Sequence, residues 1–278
     1  MKVAIVQMSV KQADFAANLA KARALAERAK SGGADIAVFP EMFVCGFNYK
    51  ANADFLAANP GAIMGGLSSI ASDCGLWLCG TVPCPEADPA RPSNRLALLD
   101  SQGKTRAAYD KIHLFSLFNE NIHSSAGSRV EIAETPWGKL SFAICYDVRF
   151  PEMFAAMALA GAQCVILPAA WPHPRSEHWL TLARARAIEN QMFVVAVNQC
   201  GSENFGSKQM KYCGLSRVFN PLGETLAECP ADAPDAIAFA ELDLPSCADA
   251  RAKMPSLRDR RCDVYANYLR LDTPNPNR

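Results

Sequence analysis

Short apolar runs alternate with longer amphipathic stretches along most of the chain. "VAIVQM" at residues 3–8 and "ADIAVFPE" at residues 34–41 have the length and composition of buried strands. Between them, "QADFAANLAKARALAERAK" carries apolar residues at helical spacing and ends just before Gly32 and Gly33, which is typical of a helix C-terminus. The pattern predicts an α/β fold in which strands and helices follow one another.

The same alternation continues through the rest of the chain. "NRLALLD" and "TRAAYDK" flank "SQGK", which predicts a β-hairpin. Because the strands are continuous apolar runs, we expect helices on one face of the strands and a second sheet on the other. The Pro-rich stretch Asp88–Asn94 predicts a surface loop. Further strands are predicted at "LWLCGTV", "KLSFAIC", "CVILP", "MFVVAVN", "GLSRVFN" and "IAFAELD", and further helices around Leu67–Asp73, over Glu152–Leu159, over 177–190 with Ser176 as N-cap, and over 245–253.

Composition and charge narrow the class of protein. The chain has 278 residues, of which 50% are apolar, and this suffices for one large domain with a substantial core. Its 28 Lys and Arg residues balance its 28 Asp and Glu residues without a basic block, so we expect no nucleic-acid partner. No apolar run reaches the roughly 18 residues of a transmembrane helix, and the apolar N-terminus lacks a small-residue cleavage site, so we expect no membrane partner.

The cysteines also bear on the class of protein. There are 11 of them, an odd number, and most lie inside apolar runs, as Cys164 and Cys200 do. Cys74, Cys79 and Cys84 are each five residues apart, whereas zinc ligands usually pair about two to four residues apart. We therefore predict buried free thiols in a reduced, cytoplasmic protein without a structural metal.

Three predicted strands end in reactive side chains, namely Glu41, Lys111 and Cys145. Sites in α/β folds form where strand ends converge, so these three side chains are candidates for one site. Glu41 would take the thiol proton, Cys145 would attack an amide-like carbon, and Lys111 with the backbone N–H of Tyr146 would stabilise the oxyanion. Pro151 suits the first turn of a helix whose N-terminus would favour the thiolate.

Each of these residues also has an ordinary structural explanation. A cysteine that ends an apolar strand is usually part of the core, and a glutamate after a proline is often a solvated loop residue. A lysine beside an aspartate is most often a surface pair that contributes little. Position alone therefore leaves catalysis open, although no G-x-S-x-G elbow and no Gly-rich phosphate loop competes with this interpretation.

Three segments carry a resemblance to a known family. "FPEMFVCGF", "YDKIHLF" and "ICYDVRFPE" resemble, in this order, the signature segments of the nitrilase superfamily, the carbon–nitrogen hydrolases. The resemblance spans roughly residues 2 to 265 and implies one hydrolase domain over 1–265 with a C-terminal tail over 266–278. It also implies a four-layer α-β-β-α sandwich that assembles as a homodimer or a higher homo-oligomer.

The same resemblance implies catalytic roles. It implies a triad of Glu41, Lys111 and Cys145, and a second glutamate, Glu120 in "LFNENIHSSAGS", which would position Lys111 and the substrate nitrogen. Within the superfamily, "AAWPHPRSEHWLTLARARAIENQ" is similar to the bacterial branch of the ω-amidases. This implies a cofactor-free amidase whose substrate is a small 2-oxo acid amide, either 2-oxoglutaramate or 2-oxosuccinamate.

Such a substrate carries a carboxylate, and arginine is suited to bind it with two hydrogen bonds. Arg175 and Arg149 are the candidates, although Arg149 is better explained by pairing with Asp147 or Glu152. The remaining candidates for substrate contact are Trp171 and Phe47 as pocket walls, Tyr49 as a hydrogen-bonding group, and His123.

Other functions stay open at this point. A deaminated-glutathione amidase or an N-carbamoyl amidase would use the same triad. A true nitrilase is disfavoured because Tyr146 stands where nitrilases usually have a tryptophan. A binding or scaffold protein without turnover is the alternative from another class, and the presence of Glu41, Lys111 and Cys145 together speaks against it.

Overall fold

The computed structural model describes residues 1–85, 88–205, 208–231 and 233–266. The strands are β1 (Lys2–Gln7), β2 (Ile36–Val38), β3 (Trp77–Cys84), β4 (Ser93–Leu99), β5 (Thr105–Asp110), β6 (Ile132–Thr135), β7 (Gly138–Phe142), β8 (Cys164–Ala169), β9 (Phe193–Asn198), β10 (Ser202–Phe205), β11 (Lys208–Lys211), β12 (Arg217–Phe219), β13 (Thr225–Glu228) and β14 (Ala236–Glu241). The α-helices are α1 (Phe15–Ser31), α2 (Tyr49–Ala58), α3 (Ala62–Cys74), α4 (Glu120–His123), α5 (Pro151–Leu159), α6 (Ser176–Asn190), α7 (Cys247–Lys253) and α8 (Cys262–Tyr265).

Two six-stranded mixed sheets form the centre of the molecule. The first has the strand order β14-β1-β2-β3-β4-β5, and the second has the order β13-β12-β9-β8-β7-β6. Strands β1, β2 and β3 run parallel to one another, as do β7, β8 and β9, whereas the flanking strands are antiparallel. The hairpin predicted around "SQGK" is confirmed as the antiparallel pair β4–β5.

Strand β1 shows why the apolar runs are continuous. Val3 and Ile5 belong to the core between the two sheets, together with Phe142 of β7. Ala4 and Val6 point to the other side and pack with the residues of α1 and α3. Because successive strand residues face opposite sides, a strand covered on both faces needs apolar residues at every position.

Helices cover the outer face of each sheet. Leu25 of α1 and Leu67 of α3 are buried against the first sheet. Phe154 of α5 and Trp179 of α6 are buried against the second. The predicted four-layer α-β-β-α sandwich is therefore confirmed. Within the part of the chain that the structure describes, none of the helices combines the length and apolarity that crossing a membrane requires.

Some local expectations need correction. Helix α2 has no counterpart among the predicted elements; it begins where the side chain of Asn48 accepts a hydrogen bond from the Ala51 N–H at 3.1 Å. Ser176 is not the N-cap of α6 but its first residue, and its hydroxyl donates to the carbonyl of His173 at 2.6 Å. The predicted tail over 266–278 lies outside the described residues from position 267 onward.

Candidate active site

Glu41 follows β2 and is fully buried. Its Oε2 accepts a hydrogen bond from the Ala170 N–H at 2.9 Å, and its Oε1 accepts one from Lys111 Nζ at 2.8 Å. The side chain of Gln199 donates to the backbone carbonyl of Glu41 at 2.7 Å. Contacts from both sheets therefore hold this carboxylate in one orientation.

Lys111 follows β5 and is also buried, with 1% of its surface exposed. Its Nζ lies 2.8 Å from Glu41 Oε1 and 2.8 Å from Glu120 Oε2. Burial by itself would lower the pKa of Lys111, but the carboxylates of Glu120 and Glu41 outweigh burial and raise this pKa well above its usual value. The side chain is therefore a fixed ammonium group between two carboxylates.

Glu120 contacts Lys111 from helix α4. It is the first residue of α4 and follows Asn119, whose φ of 58° turns the chain inward. Its Oε2 also accepts a hydrogen bond from the Phe115 N–H at 2.7 Å, so the loop closes around its own carboxylate. The structure thus brings Glu120 against Lys111, as the resemblance implied.

Cys145 stands at the turn between β7 and α5. Its φ is +47°, in the left-handed region that a side chain with a Cβ rarely adopts. A short 3₁₀ turn, Cys145–Arg149, follows, and Pro151 occupies the first turn of α5 as expected. Backbone strain of this kind persists only where the surroundings over-determine it, and it is common at functional sites.

Asp147 supplies much of that constraint. It is fully buried and accepts hydrogen bonds from the Tyr109 hydroxyl at 2.7 Å and from the Ile144 N–H at 2.8 Å. The backbone N–H of His113 donates to its other oxygen at 3.0 Å, and His113 Nδ1 lies 2.8 Å from the same oxygen. Asp147 therefore ties the Cys145 turn to β5 and to the segment after Lys111.

The helix N-terminus was expected to favour the thiolate of Cys145, but other groups shift the pKa of this thiol upward. Burial and the nearby carboxylate of Glu41 raise the pKa of Cys145 well above its usual value, against the opposing effect of Lys111. Burial also raises the pKa of Glu41, and the ammonium of Lys111 opposes that shift. These effects favour the protonated thiol of Cys145 over the thiolate.

These groups open onto a cavity of about 410 Å³. The four candidate catalytic residues line it, as do Tyr146 and the predicted contact residues Phe47, Tyr49, Trp171, Arg149 and Arg175. His123 is not among the lining residues; it stacks on the ring of Tyr49, with 4.8 Å between ring centroids. It supports the wall of the cavity from behind.

The two arginines are placed differently from one another. Arg149 does not pair with Asp147 or Glu152, so that expectation is wrong. Its guanidinium lies 4.8 Å from the ring of Trp171, and its Nη2 lies 3.2 Å from His178 Nδ1. The carbonyl of Arg175 accepts a hydrogen bond from Trp171 Nε1 at 2.8 Å, which fixes its backbone. Neither arginine forms an ion pair within the described ranges.

Tyr49 presents an unused hydrogen-bonding group. Its hydroxyl oxygen is buried and has no hydrogen-bond partner among the described residues. Burial and the carboxylate of Glu120 raise the pKa of Tyr49, so the hydroxyl stays protonated. Because the residue lines the cavity, a polar atom of a ligand is the natural partner of this hydroxyl.

Sequence reasoning did not find several residues of the site. Asn94 donates to both Glu41 and Glu120, although it was expected at the end of a surface loop. Tyr212 lines the cavity and donates to the buried carboxylate of Glu203 at 2.9 Å. No motif marks these positions in the sequence. The other lining residues without a prior role are Phe115, Leu117, Phe118, Ala170, Pro172 and His178.

Comparison with known proteins agrees with this geometry. A family model described as Carbon-nitrogen hydrolase matches residues 2–252. A 2-oxoglutaramate amidase of Bacillus subtilis is 34% identical over 265 residues, which cover 95% of this chain and 98% of that protein. The omega-amidase NIT2 of Homo sapiens is 30% identical over 273 residues, which cover 95% of this chain and 96% of that protein.

A longer relative and a solved structure complete the comparison. The nitrilase and fragile histidine triad fusion protein of Caenorhabditis elegans is 35% identical over 96% of this chain, and the chain spans 62% of that protein. An amidase from Nesterenkonia sp. AN1 superposes with a TM-score of 0.85 at 29% identity, and the match covers 97% of this chain and 100% of the other. This structure is of the E41Q mutant of that amidase and shows the result of Michael addition of acrylamide at the active-site cysteine.

Proposed function

Because this chain belongs to the carbon–nitrogen hydrolase family, we propose that it hydrolyses the terminal amide of a small 2-oxo acid amide, 2-oxoglutaramate or 2-oxosuccinamate. The products are the corresponding acid and ammonia, and the intermediate is a thioester on Cys145. The observation that carries the proposal is the buried contact of Lys111 with both Glu41 and Glu120 beside this cysteine.

In the first half of the reaction, the Glu41 carboxylate takes the proton of the nearby Cys145 thiol. The sulfur then forms a bond to the amide carbon, and the carbonyl electron pair moves onto the oxygen. When this tetrahedral intermediate collapses, Glu41 gives the proton to the nitrogen. The carbon–nitrogen bond breaks, ammonia leaves, and the acyl group remains on sulfur.

In the second half, Glu41 takes a proton from water, and the hydroxide oxygen bonds to the thioester carbon. Collapse of this second intermediate breaks the carbon–sulfur bond and releases the acid. The thiolate recovers its proton from Glu41. The raised pKa of Glu41, caused mainly by burial, suits a group that takes up and gives back a proton during the shuttle.

The oxyanion of both intermediates needs positive charge or donors in fixed positions. Lys111 is a buried ammonium that its two carboxylates immobilise, and it interacts electrostatically with Cys145. The backbone N–H of Tyr146, immediately after the nucleophile, is the second donor in our proposal. Glu120 keeps Lys111 in place when Glu41 changes its protonation state, because it contacts Nζ through both oxygens, at 2.8 and 3.1 Å.

Recognition of the substrate carboxylate falls to Arg149 and Arg175, which line the cavity without an ion pair among the described residues. Tyr49 donates its unpartnered hydroxyl to a substrate oxygen. Phe47 and Trp171 form apolar walls against the carbon chain. A cavity of about 410 Å³ lies within the range of small-molecule binding sites.

The alternative amidase functions would use the same triad with a different substrate pocket. A deaminated-glutathione amidase binds a larger substrate, and an N-carbamoyl amidase binds a different leaving fragment. We favour the 2-oxo acid amides because relatives named 2-oxoglutaramate amidase and omega-amidase match nearly end to end. A binding protein without turnover has no use for a buried lysine held by two carboxylates, since such a cluster is costly to bury.

We further propose that the protein works in a reducing, cytoplasmic setting as a homodimer or a higher homo-oligomer. The eleven cysteines are all free, which suits such a compartment. Leu159 of α5 and Ile188 of α6 are 56% and 50% exposed, and these outer helices offer an apolar surface to a second subunit. The proposed functional domain is 1–265.

The experiment that tests the function is ammonia release across a substrate panel, run with the purified protein and with Cys145→Ala. The panel contains 2-oxoglutaramate, 2-oxosuccinamate, glutamine, an N-carbamoyl amino acid, deaminated glutathione and a simple nitrile. Cys145-dependent turnover of the two 2-oxo amides is the expected result. Turnover of another compound instead would overturn the proposed substrate. No turnover by a folded protein would favour the binding-protein alternative.

A further inference from the structure

Asn94 closes a ring of hydrogen bonds inside the candidate active site. Its Nδ2 donates to Glu41 Oε1 at 2.8 Å and to Glu120 Oε1 at 3.0 Å. Lys111 Nζ donates to the same two oxygens, at 2.8 Å and 3.1 Å. The two carboxylates are therefore linked twice, once by an ammonium group and once by a neutral amide.

The backbone places Asn94 for this role. Asn94 lies on β4 next to Arg95, which pairs with Asp110 on β5, so it stands beside Lys111 at the end of the hairpin. The carbonyl of Asn94 accepts the hydrogen bond of the Lys111 N–H at 3.0 Å. Both residues that bridge Glu41 and Glu120 thus come from one hairpin, and the side chain of Asn94 is fully buried.

The orientation of the amide is informative. Asn94 Oδ1 is buried and has no hydrogen-bond partner among the described residues. Reversing the amide would turn this oxygen toward the carboxylates and bring lone pairs against negative charge. The chain therefore tolerates an unpaired buried acceptor, which is unfavourable for stability, while both N–H groups of the amide serve Glu41 and Glu120.

We propose that Asn94 is a positioning residue that holds the carboxylates of Glu41 and Glu120 in place and apart, so that Glu41 alone exchanges the proton of Cys145. The nearby charge of Glu120 raises the pKa of Glu41. The N–H that Asn94 donates to Glu41 favours the charged form of Glu41 without adding a titrating group. The inference rests on the proposed function only in assigning Glu41 as the base.

The pH dependence of Glu41 gives a readout of this role. Without the amide donor, Glu41 holds a proton more tightly, so the acidic limb of the activity profile moves to higher pH. A purely structural role of Asn94 would lower stability without moving that limb. The ionisable groups that face Glu41 are Lys111 after β5, Glu120 on α4, Cys145 after β7, Tyr49 on α2 and Tyr212 after β11.

The test compares Asn94→Ala with a matched control, Asn18→Ala, in the full-length protein. Asn18 is equally buried and also donates twice, to the carbonyls of Lys11 and Val44, but it lies on α1 away from the cavity. We expect Asn94→Ala to lower kcat about 10²-fold with little change in KM, as expected when reacting groups are misplaced. The acidic limb of the activity profile of Asn94→Ala should move to higher pH by roughly one unit. Asn18→Ala should change neither.

A second measurement separates this proposal from the choice of substrate. The rate of Cys145 alkylation by iodoacetamide, followed by peptide mass spectrometry across pH, reports the thiol and its base without any amide substrate. A shifted alkylation profile in Asn94→Ala would uphold the role of Asn94 even if no amide in the panel were hydrolysed. If Asn94→Ala does not fold, Asn94→Ser, which keeps one donor, is measured in the same way. Profiles that coincide with the unsubstituted protein would overturn the proposal.

Discussion

Glu203 accepts a hydrogen bond from the Tyr212 hydroxyl at 2.9 Å, directly behind the wall of the cavity that Tyr212 lines. The carboxyl is 5% exposed, and its Oε1 has no hydrogen-bond partner among the described residues. The same oxygen lies against Gly46, where an added Cβ would come within 2.5 Å of it. A buried carboxyl therefore braces the segment before Phe47 and Tyr49 against the β10–β11 hairpin.

This relationship makes stability depend on pH. Burial raises the pKa of Glu203 from 4.5 to about 7, so the folded state binds the proton more tightly than the unfolded state. The resulting stabilisation is complete below the unfolded pKa and is lost as pH rises through the folded value. We expect Glu203 to lower the free energy of unfolding by about 3 kcal/mol across this window.

Glu203→Gln should flatten that dependence, because glutamine does not titrate and can still accept the hydrogen bond of Tyr212. Chemical denaturation of both proteins at a series of pH values between about 4.5 and 7 measures the difference. The difference between the two curves isolates Glu203 from the other titrating groups. Parallel curves would show that the carboxyl does not change its charge in this range.

Substitutions of the nucleophile should differ in stability, with glycine tolerated better than alanine. Cys145→Ala and Cys145→Gly are both expected to abolish turnover and leave the fold intact. Because φ at this position is +47°, the glycine variant should be more stable than the alanine variant by roughly 1 kcal/mol. Thermal unfolding and ammonia release, measured on both variants, check the two statements. A more stable alanine variant would argue against backbone strain at the turn.

Lys111 should be essential both for activity and for stability. Lys111→Met removes the ammonium and leaves Glu41 and Glu120 as buried carboxylates facing each other. We expect activity to be lost and the free energy of unfolding to fall by roughly 3–5 kcal/mol, as when one partner of a buried ion pair is removed. Adding Glu120→Gln to Lys111→Met should recover part of the stability but none of the activity. Normal turnover by Lys111→Met would remove its oxyanion role.

Substitution of either arginine should raise KM for a charged substrate but not for a neutral one. Arg175→Gln and Arg149→Gln are each expected to raise KM for 2-oxoglutaramate about 10- to 100-fold, the size of a lost hydrogen bond to a charged group. A neutral aliphatic amide of similar length, used as the control substrate, should keep its KM. The larger effect identifies the main anchor of the carboxylate. Equal effects on both substrates would assign the arginines to the structure of the pocket.

The sequence by itself determined the layered architecture and the order in which the three reactive side chains follow one another along the chain. Apolar runs such as 3–8 must be buried on both faces, and this requirement is visible in local composition without knowledge of any contact. Glu41, Lys111 and Cys145 each follow a strand, and strand ends are local features that turn residues such as Pro40 mark. Their presence together, in order, was therefore predictable.

Tertiary packing alone decided which side chains meet. Glu41 and Lys111 come from the first sheet and Cys145 from the second, so their contact depends on how the two sheets stack. The register of β4 and β5 shifts between Leu98 and Leu99, and this shift places Asn94 beside Lys111. No residue pattern in the sequence predicts the shift.

The same reason explains the expectations that were wrong and the residues that were missed. Arg149 packs on Trp171 instead of pairing with Asp147, because Asp147 is already occupied by Tyr109, Ile144 and His113 from other elements. Burial raises the pKa of Cys145 and of Glu203, and burial is a property of the assembled layers. Sequence patterns encode what each segment requires of its surroundings, and only the folded chain decides which neighbours meet that requirement.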